Sequence, residues 1–289
     1  MGRNEDRLGI QDINTGAQPP VPATVGPEAT QQNTFNWTCP TEIVDLPSGG
    51  HFYGEGHPLH GQDSIEIRFM TAKEEDILTS KSLLRKGTAL DRVLESVIVD
   101  KKINLDSLLV GDKSALVLAT RITGYGADYT TSVACPVCSD KSDFTFDLSE
   151  LEAKDTSGIL EEYEATQTGN GTFEVTLPMT KATVEVRLLT GGDEKNLLKA
   201  AQKKQKHRLG DSGLLDQMRA FIISVNGNGD LANITSFISA MPARDSRHLR
   251  QFYTDVTPSL DMTQEFACEA CGSVAALEVP LTVEFFWPK

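Results

Sequence analysis

The sequences Cys135-Pro136-Val137-Cys138 and Cys268-Glu269-Ala270-Cys271 decide how this 289-residue chain folds. Each cysteine pair lies between two segments of β character, such as Tyr129–Val133 before the first pair and the alternating Phe144 and Phe146 after it. Two residues between the cysteines allow a tight turn to present both sulfurs to one metal ion. Two such turns complete a tetrahedral four-cysteine zinc site with no open coordination position, which is a structural and not a catalytic arrangement.

We therefore predict one structural Zn²⁺ per chain, bound by Cys135, Cys138, Cys268 and Cys271. Redox chemistry and the absence of any metal remain as alternatives. A thioredoxin-like Cys-x-x-Cys begins a helix within a βαβ unit, whereas strands are predicted on both sides of these pairs. Cys39 has no partner motif and is predicted to be a plain thiol.

The segment before the first cysteine pair has a regular order of elements. Ile65, Ile67 and Phe69 alternate with polar residues and predict a half-buried strand. Thr71 and Glu74 have the spacing of a capping box that opens a helix. Two further helices are predicted, one with Leu90, Val93, Leu94, Val97 and Ile98 on a single face, the other from Asp112 to about Ile122.

The same order returns before the second cysteine pair. The matching residues are Leu177-Pro178 with Leu46-Pro47, Val184 to Arg187 with Ile65 to Arg68, Asp193-Glu194 with Glu74-Glu75, Leu215 to Met218 with Leu90 to Val93, and Asp245 with Asp112. The interval from Asp245 to Cys268 equals that from Asp112 to Cys135. The sequence therefore predicts an α+β fold of two pseudo-repeated halves (strand, helices, strand, Cys-x-x-Cys), joined by a zinc-ribbon-like Cys₄ site.

Composition predicts the domain bounds, the cellular location and the class of partner. Residues 1–38 are polar and rich in proline and glutamine, so we predict a disordered or extended arm. The first half, with the first zinc knuckle, spans 39–150, and the second half, with the second knuckle, spans 151–289. No signal peptide or membrane-spanning run is expected, which places the protein in a reducing cytoplasm, where close cysteine pairs favour metal binding over disulfides. The net charge of −14 disfavours nucleic acid and anionic membranes as partners.

Other candidate sites are less specific. His51, His57 and His60 cluster in a glycine-rich loop, and solvent-facing histidines are the simpler interpretation than a metal site. The basic stretch from Lys199 to Arg208 is interpreted as the solvated face of a helix. The chain contains no Walker loop, nucleophile elbow, dinucleotide-binding turn or His-Glu-x-x-His motif, so no enzymatic activity is predicted.

Several stretches resemble a known family. They are Leu46 to Tyr53, Arg68 to Leu78, Leu83 to Asp91, Leu109 to Asp112, Arg121 to Gly126 and Cys135 to Cys138. Together they are similar to the baseplate hub protein family of T-even-type contractile-tailed bacteriophages, most densely over residues 43–150. The family is known from tail assembly and has no accepted enzymatic activity.

The resemblance implies a structural subunit of the virion tail baseplate, in the hub region, assembled in the host cytoplasm with other phage tail and baseplate proteins. No small-molecule substrate, nucleic acid or membrane insertion is expected. Two alternatives remain at this point: an assembly chaperone that is absent from the mature virion, and a zinc-ribbon protein that binds nucleic acid.

Overall fold

A computed structural model describes residues 38–206, 213–280 and 283–286. The predicted arm, apart from Thr38, lies outside these residues, and so do His207 and Arg208 of the basic stretch. From Cys39 onward the chain forms one compact unit.

The described residues form ten strands and nine helices. The strands are β1 (Thr41–Asp45), β2 (Ser64–Arg68), β3 (Asp128–Ala134), β4 (Lys141–Asp147), β5 (Thr166–Gly169), β6 (Thr172–Thr176), β7 (Thr183–Arg187), β8 (Ile222–Val225), β9 (Thr263–Ala267) and β10 (Val274–Glu278). The helices are α1 (Ala72–Thr79), α2 (Lys81–Lys86), α3 (Ala89–Val97), α4 (Val110–Tyr125), α5 (Ile159–Glu162), α6 (Gly191–Lys206), α7 (Gly213–Phe221), α8 (Leu231–Ala240) and α9 (Ala243–Val256). Short 3₁₀ turns occur at Leu105–Ser107, Leu148–Glu150 and Val283–Phe286.

The sheets are small and antiparallel throughout. β1 pairs with β2, β3 with β4 and β9 with β10, and the fourth sheet has the order β5-β6-β7-β8. This arrangement confirms the predicted α+β class. No helix in the described ranges has the length and apolar character needed to cross a membrane.

The predicted apolar face of α3 is buried, except at one position. Val93, Leu94 and Val97 are almost fully inaccessible, and so is Ile98 directly after the helix. Leu90, at the start of the same face, is 39% exposed. It lies in the first turn of the helix, where spacing alone does not reveal how far the rest of the protein covers the face.

Two strand pairs share one register. Val44 of β1 lies opposite Ile65 of β2, and Val175 of β6 lies opposite Val184 of β7. Both pairs continue in step for the full length of their strands. In each pair the first strand is followed directly by a buried leucine, Leu46 or Leu177, and then by proline.

An arginine and a carboxylate form the same doubly hydrogen-bonded ion pair after β2 and after β7. We call each of these ion pairs an arginine corner. Arg68 donates two hydrogen bonds to Glu74, at 3.1 and 2.6 Å, while the backbone N–H of Thr71 donates to the same carboxylate at 2.9 Å. The predicted capping box is therefore present. After β7, Arg187 donates twice to Asp193 at 2.7 Å and Thr190 N–H donates at 2.9 Å.

A buried aspartate holds the turn that follows the first strand of each of these strand pairs. Asp112 accepts hydrogen bonds from Ser48 N–H at 3.0 Å and from the Tyr53 hydroxyl at 2.6 Å. Asp245 accepts from the backbone N–H groups of Met179 and Thr180 at 2.8 and 2.9 Å. Both aspartates are fully buried. Each lies in the first turn of a long helix, α4 or α9, so each fixes a helix start against a strand end.

Backbone pairing and charge join the first part of the chain to the second. Val110 N–H donates to Leu189 O at 3.1 Å, and Gly191 N–H donates to Leu108 O at 2.8 Å. Lys113 forms ion pairs with Asp91 at 2.9 Å and with Glu194 at 3.0 Å. Gly111 is required by packing, because a Cβ there would lie 1.9 Å from Pro258 O.

Glu74→Gln tests the first arginine corner. The Glu74 side chain is completely buried, and an amide cannot accept both hydrogen bonds from Arg68 as a charged carboxylate does. We expect the free energy of unfolding, measured by urea denaturation, to fall by about 3 kcal/mol, the scale of breaking a buried ion pair. The matched control is Glu75→Gln on the exposed side of α1, and an equal loss there would contradict this assignment.

The second corner predicts a dependence on pH. The hydrogen bonds from Arg187 lower the pKa of Asp193 to about 2, against the opposing effect of burial. A carboxyl pKa that is depressed in the folded state stabilises the protein above the unfolded value near 4, and this contribution disappears as the pH falls towards 2. Unfolding curves should therefore show Asp193→Asn less stable than the parent at pH 7, with the difference shrinking between about pH 4 and 2. A constant difference over that range would rule out the ionised corner.

Candidate metal centre

The two cysteine pairs lie at the tips of two hairpins with the same backbone bonds. Cys135 and Cys138 join β3 to β4, and Cys268 and Cys271 join β9 to β10. In the first tip, Cys135 N–H donates to Asp140 O at 2.8 Å and Ser139 N–H donates to Cys135 O at 2.9 Å.

The second tip repeats both bonds, from Cys268 N–H to Ser273 O at 2.9 Å and from Gly272 N–H to Cys268 O at 2.8 Å. The residue after the second cysteine has a positive φ in each tip, 60° at Ser139 and 69° at Gly272. Glycine adopts this left-handed conformation without steric cost, whereas serine does so rarely.

The four sulfur atoms converge on one point. All four Sγ atoms lie within 4.8 Å of one another. Cys135 Sγ is 3.8 Å from Cys271 Sγ, and Cys138 Sγ is 3.7 Å from Cys268 Sγ. A tetrahedral ion with metal–sulfur bonds of about 2.3 Å requires sulfur–sulfur edges of about 3.8 Å. The four thiols are free of disulfides, so this cluster can hold a metal ion.

Packing between the hairpins brings the two tips together. The ring of Phe144 on β4 meets the ring of Phe266 on β9 edge-on, with centroids 5.2 Å apart. The side chain of Gln264 accepts from Asp147 N–H at 3.2 Å and donates back to Asp147 O. Cys135 and Cys268 are buried beside this contact, whereas Cys138 and Cys271 are exposed. One sulfur of each pair therefore faces the protein and the other faces solvent.

The pKa values of Cys135, Cys138 and Cys271 do not all shift in the same direction. Ser273 Oγ lies 3.4 Å from Cys135 Sγ and 3.0 Å from Cys271 Sγ, and its hydrogen bond lowers the pKa of Cys135 to about 6 and lowers that of Cys271 as well. The backbone N–H of Asp140 lowers the pKa of Cys138, but burial and the three neighbouring sulfurs outweigh it and raise this pKa to about 12. Without a cation, the protein thus favours ionisation of Cys135 and Cys271 and opposes ionisation of Cys138. A bound cation removes that resistance by neutralising the like charges.

The remaining candidate residues lie apart from the cluster. Cys39 is half-buried and donates to Phe69 O at 3.3 Å, and it is not part of the cysteine cluster. Among the described side chains, the four cysteines form the sole group of three or more metal-ligating residues close enough to share an ion. The histidine loop therefore forms no such group.

The three histidines of that loop differ in their exposure and contacts. His51 and His60 are exposed, as predicted, but His57 is half-buried and stacks on Tyr53 with ring centroids 4.3 Å apart. His57 Nε2 lies 2.8 Å from Ser107 Oγ, and burial lowers the pKa of this imidazole.

The basic stretch lies on α6, where Lys199, Lys203 and Lys206 are exposed, as predicted for a solvated face. Sequence reasoning did not identify Ser273 as part of the cluster. Its position two residues after Cys271 gave a signal, since polar groups within a metal-binding turn often bond to the ligand sulfurs.

Comparison with known proteins gives one match. Residues 40–171 match the family described as T4 bacteriophage base plate protein. No curated protein and no solved structure matches the chain. The matched region contains the first sheet, the arginine corner at Glu74 and the first cysteine pair, and it ends before the second pair. Residues 40–171 are thus similar to a T4-type phage baseplate protein family, which confirms the predicted resemblance at the level of the baseplate.

Proposed function

We propose that this protein is a non-enzymatic structural subunit of a phage tail baseplate, located in the hub region and bound to other tail and baseplate proteins. The match of residues 40–171 to the baseplate family carries this proposal. The net charge of −14 favours partners with basic surfaces over nucleic acid.

Within this role, Cys135, Cys138, Cys268 and Cys271 bind one structural Zn²⁺. Three features support zinc: the ligands are four thiolates, the sulfur–sulfur contacts of 3.8 and 3.7 Å fit a zinc tetrahedron, and two of the sulfurs are buried. With all four coordination positions occupied by protein, the ion has no open position for substrate. Its contribution is to stability, on the order of 10 kcal/mol for sites of this type.

The chain also consists of two pseudo-repeated halves, 39–150 and 151–289. The support is geometric and goes beyond sequence similarity. The same strand register, the same bidentate arginine corner, the same buried aspartate and the same hairpin-tip hydrogen bonds occur in each half. In each half the arginine lies six positions before its carboxylate, and the buried aspartate lies 23 positions before the first cysteine of its pair, as duplication of one ancestral unit would leave them.

The metal proposal makes a quantitative prediction. Purified protein should contain one zinc per chain by elemental analysis, and Cys135→Ser should abolish tight zinc binding. The substitution leaves three crowded thiols without their cation, so the thermal midpoint should fall by about 10 °C or more. Hydrogen exchange should accelerate in the distant 268–272 turn as much as in the 135–139 turn, because both depend on one ion.

Cys39→Ser is the matched control, since this thiol lies outside the cluster, and it should leave zinc content unchanged. Two zinc ions per chain, or loss of order in the mutated hairpin alone, would contradict a single shared site.

Composition of the phage particle tests the structural role. If the protein is a baseplate subunit, mass spectrometry of purified intact virions should detect it at a constant ratio to other tail proteins. It should also stay with the tails after they are separated from heads. Its presence in infected-cell extracts together with its absence from virions would instead identify an assembly chaperone.

A further inference from the structure

Among the described residues, no strand pairs with the outer edge of β1. Pro40 O accepts from Phe69 N–H at 2.9 Å, and Leu46 N–H donates to Asp63 O at 2.8 Å. Hydrogen-bonded pairs alternate along an antiparallel ladder, so the even-numbered residues of β1 bond to β2. The backbone groups of Thr41, Ile43 and Asp45 point the other way, and in the described part of the chain no strand pairs with them.

The corresponding edge in the second half is covered. β6 has the same length as β1 and the same register on its inner neighbour, and its outward residues are Thr172 and Glu174. β5 pairs antiparallel with these positions, Gly169 opposite Thr172 and Thr166 opposite Glu174. The second half thus shows directly what a strand on the outer edge of β1 would look like.

A single residue excludes the same tight turn directly before β1. Gly171 lies immediately before β6 and closes the turn from β5 with φ at 69°. Pro40 takes that position before β1. The proline ring locks φ near −65°, so the tight turn that folds β5 onto β6 cannot form at Pro40.

The exposed side chains around this edge define what would bind there. Ile43 is 70% exposed, and its cross-strand neighbour on the same face is the exposed Glu66. Glu42 and Asp45 are exposed at the edge itself. Ile43 and Glu42 lie on opposite faces of β1, so an extended segment that alternates apolar and basic side chains can meet both.

We propose that the outer edge of β1 binds an extended basic–apolar segment of another polypeptide, as an added antiparallel strand. Hydrogen bonds to Thr41, Ile43 and Asp45 supply the affinity, and Ile43 on one face with Glu42 on the other selects the side chains. The proposal deepens the baseplate role by giving the chemistry of one partner. Its geometry depends on β1 and not on the metal centre.

A synthetic peptide of alternating lysine and valine tests the proposal on the full-length zinc-bound protein. Residue-resolved hydrogen exchange by NMR should show the amides of Thr41, Ile43 and Asp45 exchanging rapidly in the free protein and slowly with peptide present. The amides of Glu42 and Val44 already bond to β2 and should not change. The same peptide with alternate backbone amides methylated should lose protection, because it cannot complete the ladder.

Ile43→Pro is the decisive variant, because it removes an outward N–H and leaves the bonds to β2 intact. Peptide affinity should fall about tenfold, the equivalent of one lost hydrogen bond and its neighbouring contacts. Unchanged exchange at Glu42 and Val44 would show that the variant is folded. Glu42→Gln, with the edge backbone intact, should weaken binding less, and the loss should shrink with added salt.

Three results would overturn the proposal. Slow exchange at the outer amides of the free protein would show that its own chain already covers the edge. Absence of peptide protection would show that the edge does not accept a strand. Equal binding by Ile43→Pro would place the peptide elsewhere. The measurement uses the isolated protein, so each of these results leaves the proposed place in the phage tail to be decided by virion composition.

Discussion

The convergence of four sulfur atoms is the constraint on which the rest of this structure depends. Cys138 and Cys268 are 130 residues apart in sequence, yet their sulfurs lie 3.7 Å apart. Such a meeting requires both hairpins to be placed accurately, and the contact of Phe144 with Phe266 supplies that placement. Four thiolates at this distance repel one another, and a bound cation would neutralise that repulsion. A metal ion here would add stability comparable to that of an entire ordinary domain.

Buried charged side chains also hold the strands and helices in place. Glu74 and Asp193 each neutralise an arginine at the start of a helix, and Asp112 and Asp245 each anchor a turn to a helix start. Burial raises the pKa of Glu74, but the hydrogen bonds from Arg68, Thr71 and Ser96 outweigh it and hold this pKa well below its usual value. A buried charged group without its partner would be strongly destabilising. These contacts therefore hold each strand and the helix after it in one relative arrangement. The two sets differ mainly in what surrounds them, since β5 and α8 accompany only the second set.

Local sequence predicted the local elements well. The capping box at Thr71, the strand at Ile65 to Arg68 and the buried face of α3 all depend on interactions within a few residues, which spacing and side-chain type reveal. β5 and α8 were not predicted. β5 consists of exposed residues without an alternating pattern, and Leu231–Ala240 of α8 is largely apolar without a clear polar face. These elements are stabilised by the strand or helix that they contact, and sequence spacing carries no record of that contact.

The sequence by itself determined the cysteines of the candidate centre, the hairpins that carry them, the α+β class and the similarity of residues 40–171 to a baseplate family. Each of these follows from residue identity and from spacing over short distances. Only the tertiary structure decided that all four sulfurs share one point, that Ser273 bonds to two of them, that His57 stacks on Tyr53, and that the outer edge of β1 is open among the described residues. These outcomes depend on contacts between residues distant in the chain, where packing of the whole core sets position to a fraction of an ångström and a local pattern cannot.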